Sequence, residues 1–445
     1  MKKIIGIAIG LLIILSSCSQ VILLKAQTVE EVELSIGEIT RVVLENGLTL
    51  LIKDSVSPTA TIIFAVKNGS LNEKKPGTAS LVAQCLLEGT QKRTAEEIAT
   101  EIETYGGIIS AVCDHHVSSL TTITLSEFTD EILEIMSDCV LNPTFPEDAV
   151  ERKKSEAIDI LNLIEDNPMF SALLRFQEVF YEDHPYGVSP VGTKDTIPSI
   201  NRKDLTEFYQ EYYTSDNSIL CVVGDVSVED IIKTAEGLFA DYKRGLTLRE
   251  EIPSLSPKTK DVKITEKSNA NSSYVAIGFE VPGVSLVEKD WATATVLSAL
   301  LGGGGSSRLF KEIRADRGLV YSINAGYSGQ IGPATFIIFF WCDPGNVEEV
   351  TSLALKEIEK IKNEGVSEEE VSETIKFVEE NIKLLYENEL YQAAILVSYE
   401  ALDLGVSFFD KQTEQIKEVT AEDIQQVANE YLDFYTLVEL EPQNV

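Results

Sequence analysis

Short apolar runs alternate with amphipathic segments along most of this chain, a pattern that is typical of proteins that mix strands and helices. Two apolar runs flank Asn46-Gly47, a dipeptide that favours tight turns, so we predict a β-hairpin over residues 41–52. The same pattern in the first half predicts strands over 59–66, 108–113 and 118–125 and helices over 77–88, 94–105, 127–140 and 146–165.

The second half of the chain repeats the plan of the first. The amphipathic segment 204–214 precedes an apolar strand, and a similar segment at 423–431 precedes another about half a chain later. The repeat predicts an α+β fold of two homologous domains, each a mixed or antiparallel sheet covered by helices. We place the N-terminal domain at 36–242 and the C-terminal domain at 261–445. The segment 243–260 contains two prolines and little apolar periodicity, which indicates a linker.

The N-terminus has the pattern of a processing segment. Two lysines precede the apolar stretch 4–15, which is too short for a comfortable membrane span. It ends in Leu15-Ser16-Ser17-Cys18, which resembles a bacterial lipobox. Residues 1–17 are therefore expected to be a lipoprotein signal peptide and 18–35 a tether, with a lipid on Cys18. The alternative is ordinary secretory cleavage near Ser17. Either way the protein is extracytoplasmic, and the lipid would anchor it on the periplasmic side of a membrane or at the cell surface.

The chain is strongly acidic, with 37 Lys and Arg, 72 Asp and Glu, and a formal net charge of −35. Nucleic-acid binding depends on clustered basic residues, so this charge argues against a nucleic-acid partner. A solvated acidic surface explains the charge, and an acidic cavity that attracts basic peptides is the alternative. The cysteines other than Cys18 include no CxxC pair, which predicts core thiols rather than a zinc ribbon or a redox motif.

The segment 77–90 carries the most specific resemblance to a known family. It begins Gly77-Thr78-Ala79 and closes with Glu88-Gly89-Thr90, and this frame is similar to the active-site helix of the pitrilysin/insulinase zinc metallopeptidases. Further matches follow in order, among them His184-Pro185-Tyr186-Gly187 and Ser306-Ser307-Arg308-Leu309-Phe310. The resemblance implies the inverzincin metallopeptidase fold repeated twice, in the short two-domain branch that resembles the mitochondrial-processing peptidases.

The same resemblance implies that the zinc site has been lost. In the family this helix carries His-x-x-Glu-His, whose histidines bind zinc and whose glutamate is the general base. Ser80 and Gln84 stand at the histidine positions, and Ala83 stands at the glutamate position. A third ligand, a glutamate on a later helix, corresponds to Ile160, and an auxiliary glutamate corresponds to Lys153. We therefore expect no metal and no cofactor at these positions.

One functional pair of the family remains in the second half. Arg314 and Tyr321 match an arginine and a tyrosine that face the zinc site in the family and hydrogen-bond the scissile carbonyl and the oxyanion. The resemblance implies that they act in trans on the active site of a partner. The alternative is that Arg314 makes surface ion pairs and that Tyr321 only begins a strand. The family strand that holds the substrate backbone corresponds to Ser110-Ala111, where the usual Asn-Ala is absent.

No other metal site is predicted from the sequence. His115 and His116 are expected to point to opposite faces of a strand, so that they cannot share one ion. Cys113 and His115 would share a face, but two ligands are too few for a structural zinc site. His184 is expected to be a hydrogen-bonded turn residue.

Two hypotheses of different classes follow, together with a weaker third. The first is the non-catalytic subunit of a heteromeric extracytoplasmic peptidase, which closes the chamber around a peptide substrate and is active only with a zinc-bearing homologous partner. The second is a peptide-binding or scaffold protein without a protease partner. The third is an active enzyme with an unrecognised site.

We predict that Cys18→Ala removes the membrane anchor. The variant lacks the thiol that a lipobox cysteine uses for acylation, so it should leave the membrane fraction and lose the mass of the lipid. Fractionation and intact-mass spectrometry measure both effects, with Cys113→Ala as the control that stays in the membrane. If the Cys18→Ala protein stays in the membrane fraction and its mass changes only by the difference between cysteine and alanine, the lipoprotein interpretation is wrong.

Overall fold

The structure is a computed structural model that describes residues 26–245, 252–256, 258–285 and 288–443. The first half forms one sheet covered by helices. Its strands are β1 Ala26–Leu34, β2 Gly37–Leu44, β3 Thr49–Asp54, β4 Thr59–Val66, β5 Ile108–Cys113, β6 Ser118–Leu125 and β7 Ser218–Gly224. Its helices are α1 Thr78–Cys85, α2 Ala95–Thr104, α3 Thr129–Leu141, α4 Glu147–Asp166, α5 Pro168–Tyr181, α6 Arg202–Tyr212 and α7 Val228–Leu238. The strand order is β1-β2-β3-β7-β4-β6-β5, in which only β3 and β7 are parallel neighbours.

The second half forms a second sheet with the same topology. Its strands are β8 Val262–Ser268, β9 Ser273–Val281, β10 Val320–Tyr327, β11 Ala334–Cys342 and β12 Thr436–Pro442. Its helices are α8 Asp290–Gly302, α9 Val347–Glu364, α10 Glu368–Tyr386, α11 Glu389–Ala401, α12 Phe408–Lys417 and α13 Ala421–Tyr431, and Phe310–Ala315 is a turn of π-helix. The order β10-β11-β9-β12-β8 corresponds to β5-β6-β4-β7-β3, including the parallel pair. This equivalence confirms the predicted α+β fold of two similar halves.

The local predictions hold through most of the first half. The hairpin at Asn46-Gly47 is confirmed by β2 and β3, and the strands predicted at 59–66, 108–113 and 118–125 are confirmed as β4, β5 and β6. One difference is β1, which pairs with β2 inside the segment 18–35 that we assigned to a tether. The helices that the structure describes include none that is long and apolar enough to cross a membrane.

Part of the predicted organisation lies outside the described residues. The signal peptide 1–17 and the lipidation site Cys18 belong to that part, as does the middle of the predicted linker 243–260. The lipid anchor and the domain boundaries therefore stay predictions.

The two halves are also equivalent in how their helices begin. Asn201 caps α6, and the carboxylate of Asp204 accepts the backbone N–H of Asn201 and binds Lys75 Nζ at 2.7 Å. In the second half Thr420 caps α13 with Asp423, which binds Lys289 Nζ at 2.8 Å. Such caps satisfy backbone N–H groups that a helix cannot satisfy itself. The repeat therefore extends to individual hydrogen bonds.

Each half covers the sheet of the other half with one helix. α5 of the first half packs on β9 and β12, and α11 of the second half packs on β4 and β7. The exchange is reciprocal, because α5 and α11 occupy equivalent places in the repeat and each begins at a capping asparagine, Asn167 and Asn388. Gly278 on β9 allows the close approach of α5, since a Cβ there would lie 2.2 Å from the Cζ atom of Phe176. The two halves thus share their cores.

A buried ion pair fixes α11 on the first sheet. Arg41 on β2 donates from Nη2 and Nε to the two carboxylate oxygens of Glu400 on α11, at 2.6 and 3.0 Å. The Glu400 side chain is only 6% exposed, and Lys67 Nζ lies 3.9 Å from it. The hydrogen bonds to Glu400 raise the pKa of Arg41 above its usual value. Without Arg41, the buried carboxylate of Glu400 would have only the more distant ammonium of Lys67 beside it.

We predict that Arg41→Ala lowers the free energy of unfolding by about 3 kcal/mol, because the loss of one partner leaves the other charge buried. Urea unfolding followed by circular dichroism measures the change. Arg175→Ala is the matched control, since Arg175 on α5 binds Glu266 of the second sheet at 2.8 Å in a half-exposed pair. That variant should change stability by less than about 1 kcal/mol. Equal effects of the two substitutions would mean that the Arg41 pair does not hold the halves together.

Candidate functional site

Helix α1, which carries the altered zinc motif, begins at a buried carboxylate. The two carboxylate oxygens of Glu73 accept the backbone N–H groups of Gly77 and Ala79 at 2.7 and 2.8 Å. Burial raises the pKa of Glu73 to about 8, and the hydrogen bonds from the backbone oppose this shift. Gly77 has φ +98°, and a Cβ there would lie 2.5 Å from the Ile197 side chain, so the turn before α1 requires glycine. The start of α1 thus depends on residues outside the motif.

Ser80 and Gln84 lie on one face of α1 and bind each other. The Nε2 atom of Gln84 donates to Oγ of Ser80 at 3.2 Å, as the four-residue spacing allows. Ala83 is buried, with 1% of its surface exposed, and carries no group that accepts a proton. A hydroxyl and an amide are poor zinc ligands, so this face of α1 does not fit a catalytic zinc ion.

The two positions on α4 strengthen this conclusion. α4 packs against α1, and Ile160 at the third-ligand position is 39% exposed and apolar. Lys153, at the auxiliary-glutamate position, places its Nζ 3.1 Å from Glu88 and 2.7 Å from Glu156. Glu88 also pairs with Arg152. At the position that the resemblance aligns with the auxiliary glutamate, the chain therefore has an ammonium paired with two carboxylates.

The histidines form a cluster that the sequence did not predict. Asp114, His115, His116 and Val117 lie in the turn between β5 and β6, so the prediction that the two histidines project from opposite faces of a strand is wrong. Both rings instead pack against Tyr186, with ring centroids 5.1 and 5.6 Å from it, and His184 packs there at 4.7 Å.

Each histidine of this cluster has at least one ring nitrogen in contact with a protein group. His115 Nε2 lies 3.1 Å from the carbonyl of Val188, and His116 Nε2 lies 2.9 Å from the Tyr186 hydroxyl. His184 Nδ1 accepts the backbone N–H of Tyr186, which confirms the prediction of a hydrogen-bonded turn residue. No group of three His, Cys, Asp or Glu side chains that could hold a metal occurs in the described part of the chain. The cluster packs the turn between β5 and β6 against Tyr186.

The cysteines do not provide a nucleophile. Cys85, Cys139, Cys221 and Cys342 are buried, which confirms the prediction of core thiols for these four. Burial raises the pKa of each of these thiols to about 12, so they are protonated at neutral pH. Burial also raises the pKa of Cys113, the remaining cysteine of the described residues.

Arg314 and Tyr321 lie on the surface of the second half. Arg314 is exposed on the π-helix and makes no hydrogen bond or ion pair with any residue that the structure describes. Tyr321 on β10 is 53% exposed, and its hydroxyl donates to Oδ1 of Asp343 at 2.8 Å. This hydrogen bond raises the pKa of Tyr321. Within the described ranges, neither residue is joined to α1 by a hydrogen bond.

Asp343 is a partner that the sequence analysis missed. Asp343 follows β11 directly. The antiparallel pairing of Val320 with Cys342 places the start of β10, where Tyr321 lies, beside the end of β11. The place of Asp343 near Tyr321 depends on the register of β10 and β11, which the apolar pattern of the sequence does not give. Ser110 and Ala111 lie on β5, which is the edge strand of the first sheet and pairs only with β6 among the described strands.

Comparison with known proteins identifies the family. The profile described as insulinase (peptidase family M16) matches residues 48–194, and the profile described as peptidase M16 inactive domain matches residues 199–378. Together they span most of the chain. The protein therefore belongs to the insulinase, or M16, family of peptidases, as the resemblance of segment 77–90 predicted.

Individual relatives agree with this assignment. The chain is 27% identical over 390 residues to an uncharacterized zinc protease of Rickettsia bellii, which covers 87% of this chain and 93% of that protein. It is 32% identical over 265 residues to the mitochondrial-processing peptidase subunit alpha of Solanum tuberosum, over 59% of this chain and 51% of that protein. The crystal structure of a peptidase M16 inactive domain from Pseudomonas fluorescens superposes with a TM-score of 0.80 at 21% identity, over 94% of this chain and 98% of that chain. The last comparison supports the fold.

We predict that the isolated protein binds no stoichiometric zinc and that repair of α1 alone gives weak binding at best. In the triple variant Ser80→His, Ala83→Glu, Gln84→His, the third ligand is still missing at Ile160. The further change Ile160→Glu should tighten zinc binding at least about tenfold. Titration with zinc measures both affinities.

The matched control for this experiment is Leu163→Glu in the triple background, which adds a carboxylate at an exposed position of the same helix. It should leave zinc affinity close to that of the triple variant. About one zinc per chain in the unmodified protein by elemental analysis, with cleavage that chelators abolish, would contradict the account of a lost site.

Proposed function

We propose that this protein is the non-catalytic subunit of a heteromeric extracytoplasmic peptidase. In this proposal a lipid on Cys18 holds it at a membrane, and it becomes part of an active enzyme only with a zinc-bearing homologous partner. The observation that carries the proposal is the contrast between its two halves. Ser80 and Gln84 occupy the ligand positions of an intact helix, whereas Arg314 is exposed and unpaired among the described residues.

The chemistry of the two halves supports this division of roles. The face of α1 offers only poor zinc ligands and no group that takes a proton from water, so this helix lacks the means to activate a zinc-bound water. Arg314 retains five N–H donors and a permanent charge, and such donors stabilise an oxyanion when they are fixed near it. Its role would therefore be to contact the reacting carbonyl in the active site of the partner and to close the chamber.

The relatives support a partner of the same family. The Solanum tuberosum relative is by its name one subunit of a processing peptidase, so that homologue works in an assembly. A complex of this chain with a similar chain that keeps His-x-x-Glu-His would combine the zinc site of the partner with Arg314 of this chain. A peptide would be the substrate.

One observation favours a second candidate function, a peptide-binding or scaffold protein without a protease partner. The Tyr321 hydroxyl donates to Asp343, and a hydroxyl donates only one hydrogen bond. Tyr321 can serve an oxyanion only after it leaves Asp343. If it does not, the pair is a structural remnant, and binding without cleavage remains.

We predict that Tyr321→Phe in the reconstituted complex lowers turnover by about 10²–10³-fold, the usual effect of the loss of one oxyanion donor. Arg314→Ala should lower turnover as well and should also weaken substrate binding. The assay is peptide cleavage with the catalytic subunit held constant. Complex assembly, measured by size-exclusion chromatography, should be unchanged, since neither group packs in the core.

The chain offers a matched control for each change. Arg317→Ala removes an exposed arginine that pairs with Glu312 at 2.6 Å. Tyr327 lies on the same strand as Tyr321, and Tyr327→Phe removes a hydroxyl that donates to the carbonyl of Pro282. Both controls should retain turnover. If Tyr321→Phe and Arg314→Ala retain it too, the pair has no role in catalysis, and the scaffold function becomes the better account.

A further inference from the structure

A cavity of about 590 Å³ lies where the chain passes from the first half to the second. Its described walls come from four places: residues 252–255 and Lys258 of the connection, the end of β9, the β10–β11 hairpin and the end of α13 with the residues that follow it. The volume is within the range of small-ligand sites, about 300–1,000 Å³. None of the positions discussed above as the altered zinc site or the Arg314 pair lines it.

Hydrogen bonds from the first half fix two walls of this cavity. His184 Nδ1 accepts a backbone N–H, so its Nε2 carries the proton and donates to the carbonyl of Pro253 at 2.9 Å. The hydroxyl of Tyr181 donates to Oε1 of Gln330 in the β10–β11 hairpin at 2.6 Å and lies 3.2 Å from the carbonyl of Pro333. The Tyr186 hydroxyl accepts the N–H of Gly332 at 3.3 Å. The cavity is therefore a defined structure in which both halves take part.

The charged groups of the cavity favour a cation. Lys258 is the one lysine among the described residues that line it, and its ammonium already donates to the carbonyl of Phe180 at 3.2 Å and lies 4.6 Å from the centroid of that ring. Three carboxylates line the cavity: Glu280, Glu430 and Asp433. Asp433 pairs with Lys362 at 2.7 Å. The lining thus has more negative than positive charge, and its positive charge is occupied.

Among these three carboxylates Glu280 is the half-buried one, whereas Glu430 and Asp433 are exposed. Glu280 lies near the end of β9 and makes no hydrogen bond or ion pair with a residue in the described ranges. Burial raises its pKa, and the charge of Lys258 opposes that shift. A half-buried carboxylate without hydrogen bonds is unfavourable, and a bound cation would remove this cost.

The remaining surface of the cavity suits an apolar stem. Apolar side chains line it on several sides, among them Ile252, Leu255, Val281, Ile331 and Phe434. Phe434 lines the cavity and is 42% exposed, so a bound apolar stem would cover part of its ring. An aromatic ring also attracts a guanidinium or ammonium group across its face.

We propose that this cavity binds a basic side chain of a peptide, with its guanidinium or ammonium group on Glu280 and its stem on the apolar wall. The site does not depend on the proposed function, because it uses no residue of the zinc-site positions or of the Arg314 pair. Since both halves hold its walls, occupation of the site would also stabilise their relative position.

The probe for this site is acetyl-arginine amide, and acetyl-citrulline amide is its neutral analogue of the same shape. Isothermal titration with the full chain should show saturable binding of the arginine compound and at least about tenfold weaker binding of the citrulline compound, because a charge-assisted hydrogen bond is lost. Glu280→Gln should weaken arginine binding by a similar factor. Ile331→Trp, which fills the cavity, should weaken both compounds.

Glu103→Gln is the matched control, since it removes an exposed carboxylate on α2 outside the cavity. It should bind the arginine compound as the unmodified protein does, and thermal melting should show that all three variants are folded. No saturable binding by the unmodified protein overturns the proposal. So does equal binding of the two compounds, or binding that Glu280→Gln leaves unchanged. Each of these outcomes is independent of whether a peptidase partner exists.

Discussion

Both central sheets of this protein are apolar on both faces, and this constraint determines how the halves are joined. On β4, Ile62 and Phe64 face the helices of their own half, whereas Ile63 and Ala65 belong to the core shared with the second half. A sheet of this kind must be covered twice. Each half has helices on one face only, and the other face is covered by α11 or by α5 from the opposite half. Neither half can therefore bury its sheet alone, and the ion pair of Arg41 with Glu400 lies within this exchange.

The contacts that hold α1 in place are separate from the positions that the resemblance assigns to the zinc motif. α1 is held by the Glu73 cap, by Gly77 and by buried side chains such as Leu81 and Val82, none of which is a metal ligand. The positions that the resemblance assigns to the zinc motif, Ser80, Ala83 and Gln84, can therefore differ from the family pattern while these contacts stay in place. The fold is thus a scaffold on which catalytic residues can change independently, and this is why the family assignment alone does not establish activity.

Sequence patterns predicted the features that depend on local structure. The hairpin at Asn46-Gly47 and the strands at 59–66, 108–113 and 118–125 depend on turn residues and on apolar runs, and the structure contains them. β1 was missed because Glu30, Glu31 and Glu33 interrupt its apolar pattern. The exchange of α5 and α11, the packing of three histidines on Tyr186 and the bond from Tyr321 to Asp343 were not predictable in this way. They join residues that are distant in the sequence, or they depend on which residues of two neighbouring strands lie opposite each other. The apolar pattern of one sequence does not determine either.

The central claim is that this chain works with a zinc-bearing partner. The most direct test is affinity purification of the full-length protein from its native cells after mild detergent extraction, with mass spectrometry of the proteins that accompany it and measurement of zinc in the complex. The account predicts a homologous chain with His-x-x-Glu-His in equal amount and about one zinc per pair. Recovery of the intact protein without any such partner would contradict it.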